Sequence, residues 1–155
     1  MRSCFPEIEQ EIQEKVSSDA ELSRKVSQIR EVKGLGLLTI LTVLCETNGF
    51  LLFGNIRQVV SYAGLDVKMS QSGHYQGRTR ISKQGNTRIR GCLYMLALSA
   101  VRSNEPIRNL HLRICERNPH TKMKGIIAAM RKLLVLIFVL WKKDEPYDPN
   151  HLWQA

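Results

Sequence analysis

One basic segment, residues 71–90, holds the side chains best suited to chemistry. It contains no acid, and it carries four serine or threonine hydroxyls, three glycines and one tyrosine. Glycine lets a backbone come close to a partner, and guanidinium groups are permanently charged donors that match phosphate oxygens. The segment is too polar for a core and therefore predicts contact with a polyanion. Its basic residues are Arg78, Arg80, Lys83, Arg88 and Arg90.

A serine beside this basic run could act as a nucleophile on phosphorus. Ser70 and Ser72 lie shortly before Arg78, the first basic residue of the segment, and Ser72 directly precedes a glycine. Such a serine must lose its proton, and cations must neutralise the charge that develops on the phosphate. Arg78 and Arg80 could meet the second need, whereas His74 is the one base nearby in the sequence. From the residues alone, a plain serine in a polar loop is favoured, and the nucleophile is the alternative.

The sequence does not predict a metal site. His111 and Cys115 are four residues apart and could share a helix face, but a zinc site needs two further ligands. A two-metal site needs clustered carboxylates, and those between Lys33 and Met130 are scattered. They are Glu46, Asp66, Glu105 and Glu116. The thiols of Cys45, Cys92 and Cys115 are instead expected to be small core residues.

Charge is divided unevenly along the 155 residues, whose formal net charge is +9. Residues 1–32 carry five Lys/Arg and seven Asp/Glu, whereas residues 33–155 carry eighteen and seven. The basic part favours nucleic acid or another anionic surface as partner, with a merely solubilising charge as the alternative. The longest uninterrupted apolar run, Leu133 to Trp141, is far shorter than the roughly 20 residues that span a bilayer, so it predicts a buried helix.

The spacing of apolar residues predicts a mainly α fold with one basic loop or short hairpin over residues 66–85. The run from Leu37 to Cys45 is apolar nearly all round, so we expect a helix buried on every side. Helices are expected over residues 6–17, from Ser18 to the glycines at 34 and 36, over 37–45 and 55–62, from 86 or 87 to about 103, from Pro106 to about Glu116, and over 122–143.

The first two helices resemble the end of a longer coiled-coil arm. Single apolar seams run along both: Ile8, Ile12 and Val16, then Leu22, Val26 and Ile29. Such seams need either the main domain or a second chain as partner. A capping box at Ser18 to Glu21 predicts that the second helix begins at Ser18. We therefore expect an arm over residues 1–32, a helical domain over residues 33–145 and an extended tail over residues 146–155.

Gly34 and Gly36 lie between two helices, in the pattern of a helix-hairpin-helix. Glycines allow a tight turn whose backbone N–H groups, at the start of the second helix, can meet a phosphate. Lys33 adds a positive charge beside this turn. The alternative is an ordinary turn between two core helices, because the spacing alone is a weak signal.

Five motifs stand in an order and spacing that resemble a known family, the Piv-like serine transposases named after insertion sequence 110. The resemblance is to their C-terminal domain, and it covers nearly the whole chain from about Pro6. The motifs are Lys33-Gly34-Leu35-Gly36, Ser61-Tyr62-Ala63-Gly64-Leu65, Gln71-Ser72-Gly73, Gly77-Arg78-Thr79-Arg80-Ile81-Ser82-Lys83-Gln84-Gly85-Asn86 and Ala97-Leu98-Ser99-Ala100.

This resemblance implies a cytoplasmic bacterial DNA recombinase, associated with the nucleoid, that moves an insertion element under the guidance of a structured RNA. The family serine, which forms a phosphoserine link to DNA, maps to Ser72. Magnesium and acidic residues are expected in an N-terminal RuvC-like domain, and a coiled-coil arm joins the subunits whose domains build the active site. Nucleic-acid contacts are expected at Lys33, Gly34, Gly36, Arg78, Arg80, Lys83, Asn86, Arg88 and Arg90.

The acidic N-terminal domain of the family has no counterpart in this sequence, and Lys33 stands where the family often has proline. We therefore expect a fragment or a truncated product whose metal-binding half comes from elsewhere. Three functions follow as hypotheses: the catalytic C-terminal part of a transposase, a binding-only module for DNA or RNA, and a protein-interaction domain. The last would dimerise through Ile8, Ile12, Leu22 and Val26.

Overall fold

Seven α-helices and two short antiparallel strand pairs make up the part of the chain that this computed structural model describes. That part comprises residues 5–68, 71–72, 75–76 and 80–148, with side chains for residues 7–67 and 80–148. The predicted mainly α fold is confirmed. The elements are α1 (Phe5–Ser18), α2 (Ala20–Arg30), α3 (Leu37–Glu46), α4 (Ile56–Tyr62), β1 (Val67–Lys68), β2 (Gln71–Ser72), β3 (Tyr75–Gln76), β4 (Arg80–Ile81), α5 (Thr87–Ser103), α6 (Glu105–Arg117) and α7 (Met123–Lys143).

Asparagine side chains begin three of the helices. The Oδ1 atoms of Asn55, Asn86 and Asn104 accept hydrogen bonds of 3.0, 3.0 and 3.2 Å from the backbone N–H three residues further on. Each bond satisfies an N–H group that the first helical turn leaves without a partner. The predicted starts of α4 and α5 are confirmed for this local reason, and α6 begins at the residue before Pro106.

The predicted start of α2 is wrong by one residue. Asp19, not Ser18, is the N-cap, and its carboxylate accepts from the backbone N–H groups of Glu21 and Leu22 at 3.0 and 3.1 Å. The Ser18 hydroxyl instead donates to the Glu14 carbonyl at 2.8 Å, within the last turn of α1. A carboxylate also interacts favourably with the positive end of the helix dipole.

The long helix α7 is buried, as predicted, and it lies at the centre of the core. It packs against α2, α4, α5 and α6, and Leu133, Leu134 and Ile137 are fully buried. Burying each such side chain contributes about 1.5–3 kcal/mol, so α7 positions the helices that carry the candidate site. Among the described helices, none is long and apolar enough to cross a membrane.

The α3 helix is buried on one side only, which corrects the prediction that it is buried all round. Ile40, Val43 and Leu44 are buried, whereas Leu38 is 42% exposed and Cys45 is exposed. The reason is that α3 packs mainly on α5 and α2, which cover one face. The prediction that Cys45 is a core residue is therefore wrong.

The end of the predicted arm joins the core, but its first helix is largely uncovered. Val26, Ile29 and Val32 are buried together with residues of α7. By contrast α1 packs against α2, and Ile8 remains 52% exposed. The division of the chain at residue 32 stays a prediction. Residues 144–148 continue without helix, and residues 149–155, most of the predicted tail over 146–155, lie outside the described residues.

Candidate nucleic-acid interface

The two strand pairs within residues 67–81 form a two-part hairpin, in agreement with the loop or short hairpin predicted over residues 66–85. β1 pairs antiparallel with β4, so that Val67 lies opposite Ile81. β2 pairs antiparallel with β3, so that Ser72 lies opposite Tyr75. Ser72 thus has a described backbone in an extended strand, while the position of its side chain is outside the described atoms. Gly73, His74, Ser70 and Arg78 also lie outside the described residues.

Backbone hydrogen bonds anchor the base of the hairpin to the end of α4. The N–H of Ser82 donates to the Asp66 carbonyl at 2.7 Å, and the N–H of Lys83 donates to the Gly64 carbonyl at 3.1 Å. The N–H of Asn86 donates to a third carbonyl, that of Tyr62, at 2.8 Å. The hairpin base is therefore held by the same turn that ends α4.

Two glycines make this close approach possible. Gly85 has a φ of +154°, and a Cβ there would lie 2.3 Å from the Tyr62 carbonyl oxygen. Gly64 has a φ of +69°, and a Cβ there would lie 3.0 Å from the Gln84 carbonyl oxygen. Because L side chains rarely adopt such φ values, both positions require glycine for conformation as well as for space.

Arg90 is part of this scaffold. One guanidinium nitrogen donates to the Ala63 carbonyl at 3.0 Å, and the other donates to the Thr87 hydroxyl at 3.1 Å. The first bond satisfies a carbonyl that the end of α4 leaves without a helical partner. Arg90 therefore has a structural task in addition to its predicted role as a nucleic-acid contact.

Glu46, at the end of α3, connects three elements beneath the hairpin. Its carboxylate accepts from the side-chain amide of Asn86 at 2.6 Å and from the guanidinium of Arg88 at 3.1 Å. Its backbone carbonyl accepts from the Tyr62 hydroxyl at 3.1 Å. The hydrogen bonds from Asn86 and then from Arg88 hold the pKa of Glu46 below its ordinary value, so this carboxylate stays charged and offsets the charge of Arg88.

Arg80 and Lys83 present their charges to solvent. Both are exposed, and within the described residues the ion pairs are Arg24–Asp144, Lys25–Glu21 and Arg88–Glu46. Lys83 also has a φ of +54°, which fixes it in a left-handed turn. These two side chains are the described members of the segment best placed to meet an anion.

The glycine turn lies at the far end of α5 from the hairpin. A Cβ on Gly34 would lie 3.0 Å from the Ala100 Cα, and the Lys33 carbonyl accepts from the Asn104 side chain at 3.1 Å. Gly36 is the exposed N-cap of α3, without a side-chain hydrogen bond. Since α5 has 17 residues, it separates the two candidate regions by about 25 Å. The helix-hairpin-helix remains a prediction.

Two arginines that sequence reasoning did not select lie at the hairpin base. Arg57 of α4 and Arg131 of α7 line a cleft of about 630 Å³ together with Ser61, Asp66, Val67, Ser82 and Gln84. Their distance in sequence hides this proximity. A partial signal exists, because Arg57 and Ser61 are four residues apart on α4 and so share a helix face.

Metal-binding groups are not clustered in the described part of the chain. No three His, Cys, Asp or Glu side chains there lie close enough to hold an ion. His111 and Cys115 do share a face of α6, with 3.5 Å between Nε2 and Sγ, but no third such group accompanies them among the described residues. The described residues therefore do not fit a magnesium site.

A family model described as "Transposase IS116/IS110/IS902 family" matches residues 26–112. This match covers more than half of the chain. The chain belongs to this transposase family. The matched region of the transposase chain runs from α2 into α6, so it includes the Lys33–Gly36 turn, the complete hairpin and α5. The resemblance noted from the five motifs is thus confirmed.

Two curated proteins are similar along nearly the whole of this transposase-family chain. Both are called "Pilin gene-inverting protein", one from Moraxella bovis and one from Moraxella lacunata. Each is 26% identical over 143 residues, which make up 92% of this chain and 44% of the relative. The chain spans less than half the length of these curated relatives.

Proposed function

We propose that this chain is the part of a DNA transposase or recombinase that binds DNA and a structured RNA, and that supplies Ser72 as the nucleophile for strand cleavage and transfer. The observation that carries the proposal is the hairpin within the family-matched region. Its base is fixed by Gly64 and Gly85, it has Ser72 on β2, and it is flanked by the exposed Arg80 and Lys83. Such a protein acts at the bacterial nucleoid.

The proposed cleavage step is a transfer of a phosphoryl group to serine. The Ser72 Oγ–phosphorus bond forms, one phosphorus–oxygen bond of the DNA backbone breaks, and the leaving oxygen takes up a proton. The serine proton passes to a base outside the described residues. In the second step a DNA hydroxyl attacks the phosphoserine and loses its proton to a base. A new oxygen–phosphorus bond forms, the Ser72 Oγ–phosphorus bond breaks, and the serine oxygen takes up a proton. Arg78 and Arg80 would neutralise the developing charge.

Magnesium is assigned to another domain in this proposal. The described residues hold no cluster of three His, Cys, Asp or Glu groups that could bind it. The acidic residues that hold it would belong to a separate domain or subunit. This proposal makes the active site a composite, to which the chain contributes the serine and the basic surface.

The test is covalent trapping of the serine on DNA. The chain, combined with a full-length family transposase that supplies the acidic domain, is incubated with nicked DNA that prevents reversal. A protein–DNA adduct that contains this chain is then sought on a denaturing gel. Ser72→Ala should abolish the adduct while leaving DNA binding within about twofold. The neighbouring Ser70→Ala is the matched control and should still form the adduct. An adduct with Ser72→Ala would eliminate Ser72 as nucleophile.

The second candidate is a binding-only module. The exposed charges of Arg80 and Lys83 support it, because such groups can hold a phosphate backbone without any covalent step. In that case the wild-type chain binds DNA or RNA, forms no adduct, and responds to Arg80→Ala but not to Ser72→Ala. The trapping experiment therefore separates the two functions.

A further inference from the structure

We infer that the cleft between α4, α7 and the hairpin base is a second phosphodiester-binding site, with Arg57 and Arg131 as its anion-binding groups. This inference rests on the proposed function, because it names a contact of the same nucleic-acid-binding protein. The two arginines are 74 positions apart in the sequence, yet they line one cleft of about 630 Å³. The hydroxyl-bearing Ser61 and Ser82 line it too.

The two guanidinium groups are available to a ligand. Arg57 and Arg131 are both exposed, and the ion pairs found among the described residues involve Arg24, Lys25 and Arg88 instead. Arginine forks match phosphate oxygens in two-point geometry. Two such forks with hydroxyl donors beside them form a site for a backbone phosphate, which they would hold without reading the base sequence.

The walls of the cleft are firmly held. The Ser82 N–H donates to the Asp66 carbonyl at 2.7 Å, and the Ser82 hydroxyl accepts from the Gln84 N–H at 3.3 Å. On the other side, α4 packs directly against α7. The hydroxyls and arginines are therefore carried by elements that the fold already holds in place, so that the backbone needs little ordering when an anion binds.

The acidic side chain of Asp66 distinguishes an anion from a cation as the ligand of the cleft. Asp66 lines the same cleft, whose lining residues therefore include two basic side chains and one acidic side chain. A carboxylate repels a phosphate but attracts a metal ion. Neutralising Asp66 should thus strengthen binding if the cleft holds a phosphate, and should weaken it if the cleft holds a cation that bridges to the nucleic acid.

The experiment measures the fluorescence anisotropy of labelled duplex DNA and of a labelled RNA stem-loop across a salt series. The variants are Arg57→Gln, Arg131→Gln, the double variant and Asp66→Asn, with Arg117→Gln on α6 as the matched control for charge. Substituting either cleft arginine should reduce the magnitude of the slope of log affinity against log salt by about 0.9 on duplex DNA. Affinity should fall several-fold at fixed salt, whereas Asp66→Asn should raise it. The response of each probe shows whether DNA, RNA or both supply the phosphate.

Two results would overturn the inference. One is a double variant with wild-type slope and affinity on both probes, and the other is weaker binding by Asp66→Asn. Arg80→Gln separates this failure from a failure of the proposed function. If Arg80→Gln weakens binding while the cleft variants do not, the cleft inference falls and the proposed function stands. If the wild-type chain binds neither probe, both the cleft inference and the proposed function are wrong. Circular dichroism checks that the exposed substitutions leave the fold intact.

Discussion

At the residue scale, Glu46 shows how one carboxylate can organise a basic surface. It accepts hydrogen bonds from Asn86 and Arg88, and Asn86 in turn caps α5 through its other amide atom. The end of α3 and the start of α5 are thereby joined by one charged group. Of the predicted contact residues, Asn86 and Arg88 therefore also hold the scaffold. The Arg88 side chain nevertheless stays 82% exposed, and Arg80 and Lys83 are exposed as well.

The carboxylate of Glu46 makes the folded chain less stable at acid pH. Its pKa is below the ordinary value of 4.5 in the folded chain, so the folded state is stabilised above that value. This stabilisation is lost as the pH falls through the lowered pKa. We expect Glu46→Gln to show a smaller drop in Tm between neutral pH and about pH 3 than the wild type. Thermal melts across that range measure it.

Glu9→Gln on the exposed face of α1 is the matched control for this measurement. It removes one carboxylate without touching the Asn86 and Arg88 contacts, so its acid-induced loss of Tm should follow the wild type. If Glu46→Gln and the wild type lost equal Tm on acidification, the hydrogen bonds at Glu46 would not contribute to stability.

At the element scale, glycines determine how closely helices and turns approach. Gly34 allows the α2–α3 turn to rest on α5, and Gly125 allows α7 to rest on α6. A Cβ at Gly125 would lie 2.7 Å from the His111 ring and 2.8 Å from the Cys115 sulfur. These contacts set how closely the α2–α3 turn approaches α5 and how closely α7 approaches α6.

Gly125→Ala should therefore destabilise the chain although alanine favours helix. Overpacking of this kind costs about 1–3 kcal/mol. Gly91→Ala, in α5, is the matched control, because a Cβ there meets no atom within 4 Å. It should stabilise the chain by up to about 1 kcal/mol. Urea unfolding measures the free energy of unfolding of both variants. If Gly125→Ala were stabilising, α6 and α7 would not be packed too closely to accept a methyl group.

At the scale of the whole molecule, the candidate contacts lie at both ends of α5. The Lys33–Gly36 turn lies at one end, and the hairpin base with Arg57 lies at the other. Their separation of about 25 Å is less than the roughly 34 Å of one DNA turn. If both regions bind the same duplex, they would contact phosphates within a single helical turn.

We also propose that α1 joins two copies of the chain. Ile8 is 52% exposed, and Ile12 lies one turn further along the same seam. Replacing both by aspartate should lower the molar mass measured by light scattering during size-exclusion chromatography, because charge would enter an apolar interface. The control, Gln10→Asp with Gln13→Asp, adds the same charge on exposed positions and should keep the wild-type mass. If the wild-type chain were monomeric, the proposal that α1 joins two copies would be wrong.

The sequence by itself determined the helices, most of their ends and the basic character of residues 71–90. The starts of α4 and α5 could be predicted because an asparagine caps an N–H only three residues away. That of α6 could be predicted because Pro106 favours the first turn of a helix. The start of α2 was missed because Ser18 and Asp19 are both good caps, and the choice depends on how α1 ends. The family motifs were also legible, since they combine residue types with fixed spacing.

Only the tertiary structure decided which distant groups meet. Glu46 reaches Asn86 across 40 positions, Arg131 reaches the cleft of Arg57, and Cys45 is left exposed. None of these follows from local periodicity, because each depends on how the helices pack around α7. Hydrogen bonds within a turn are fixed by nearby residues, whereas the convergence of charges is fixed by the burial of the apolar faces that carry them.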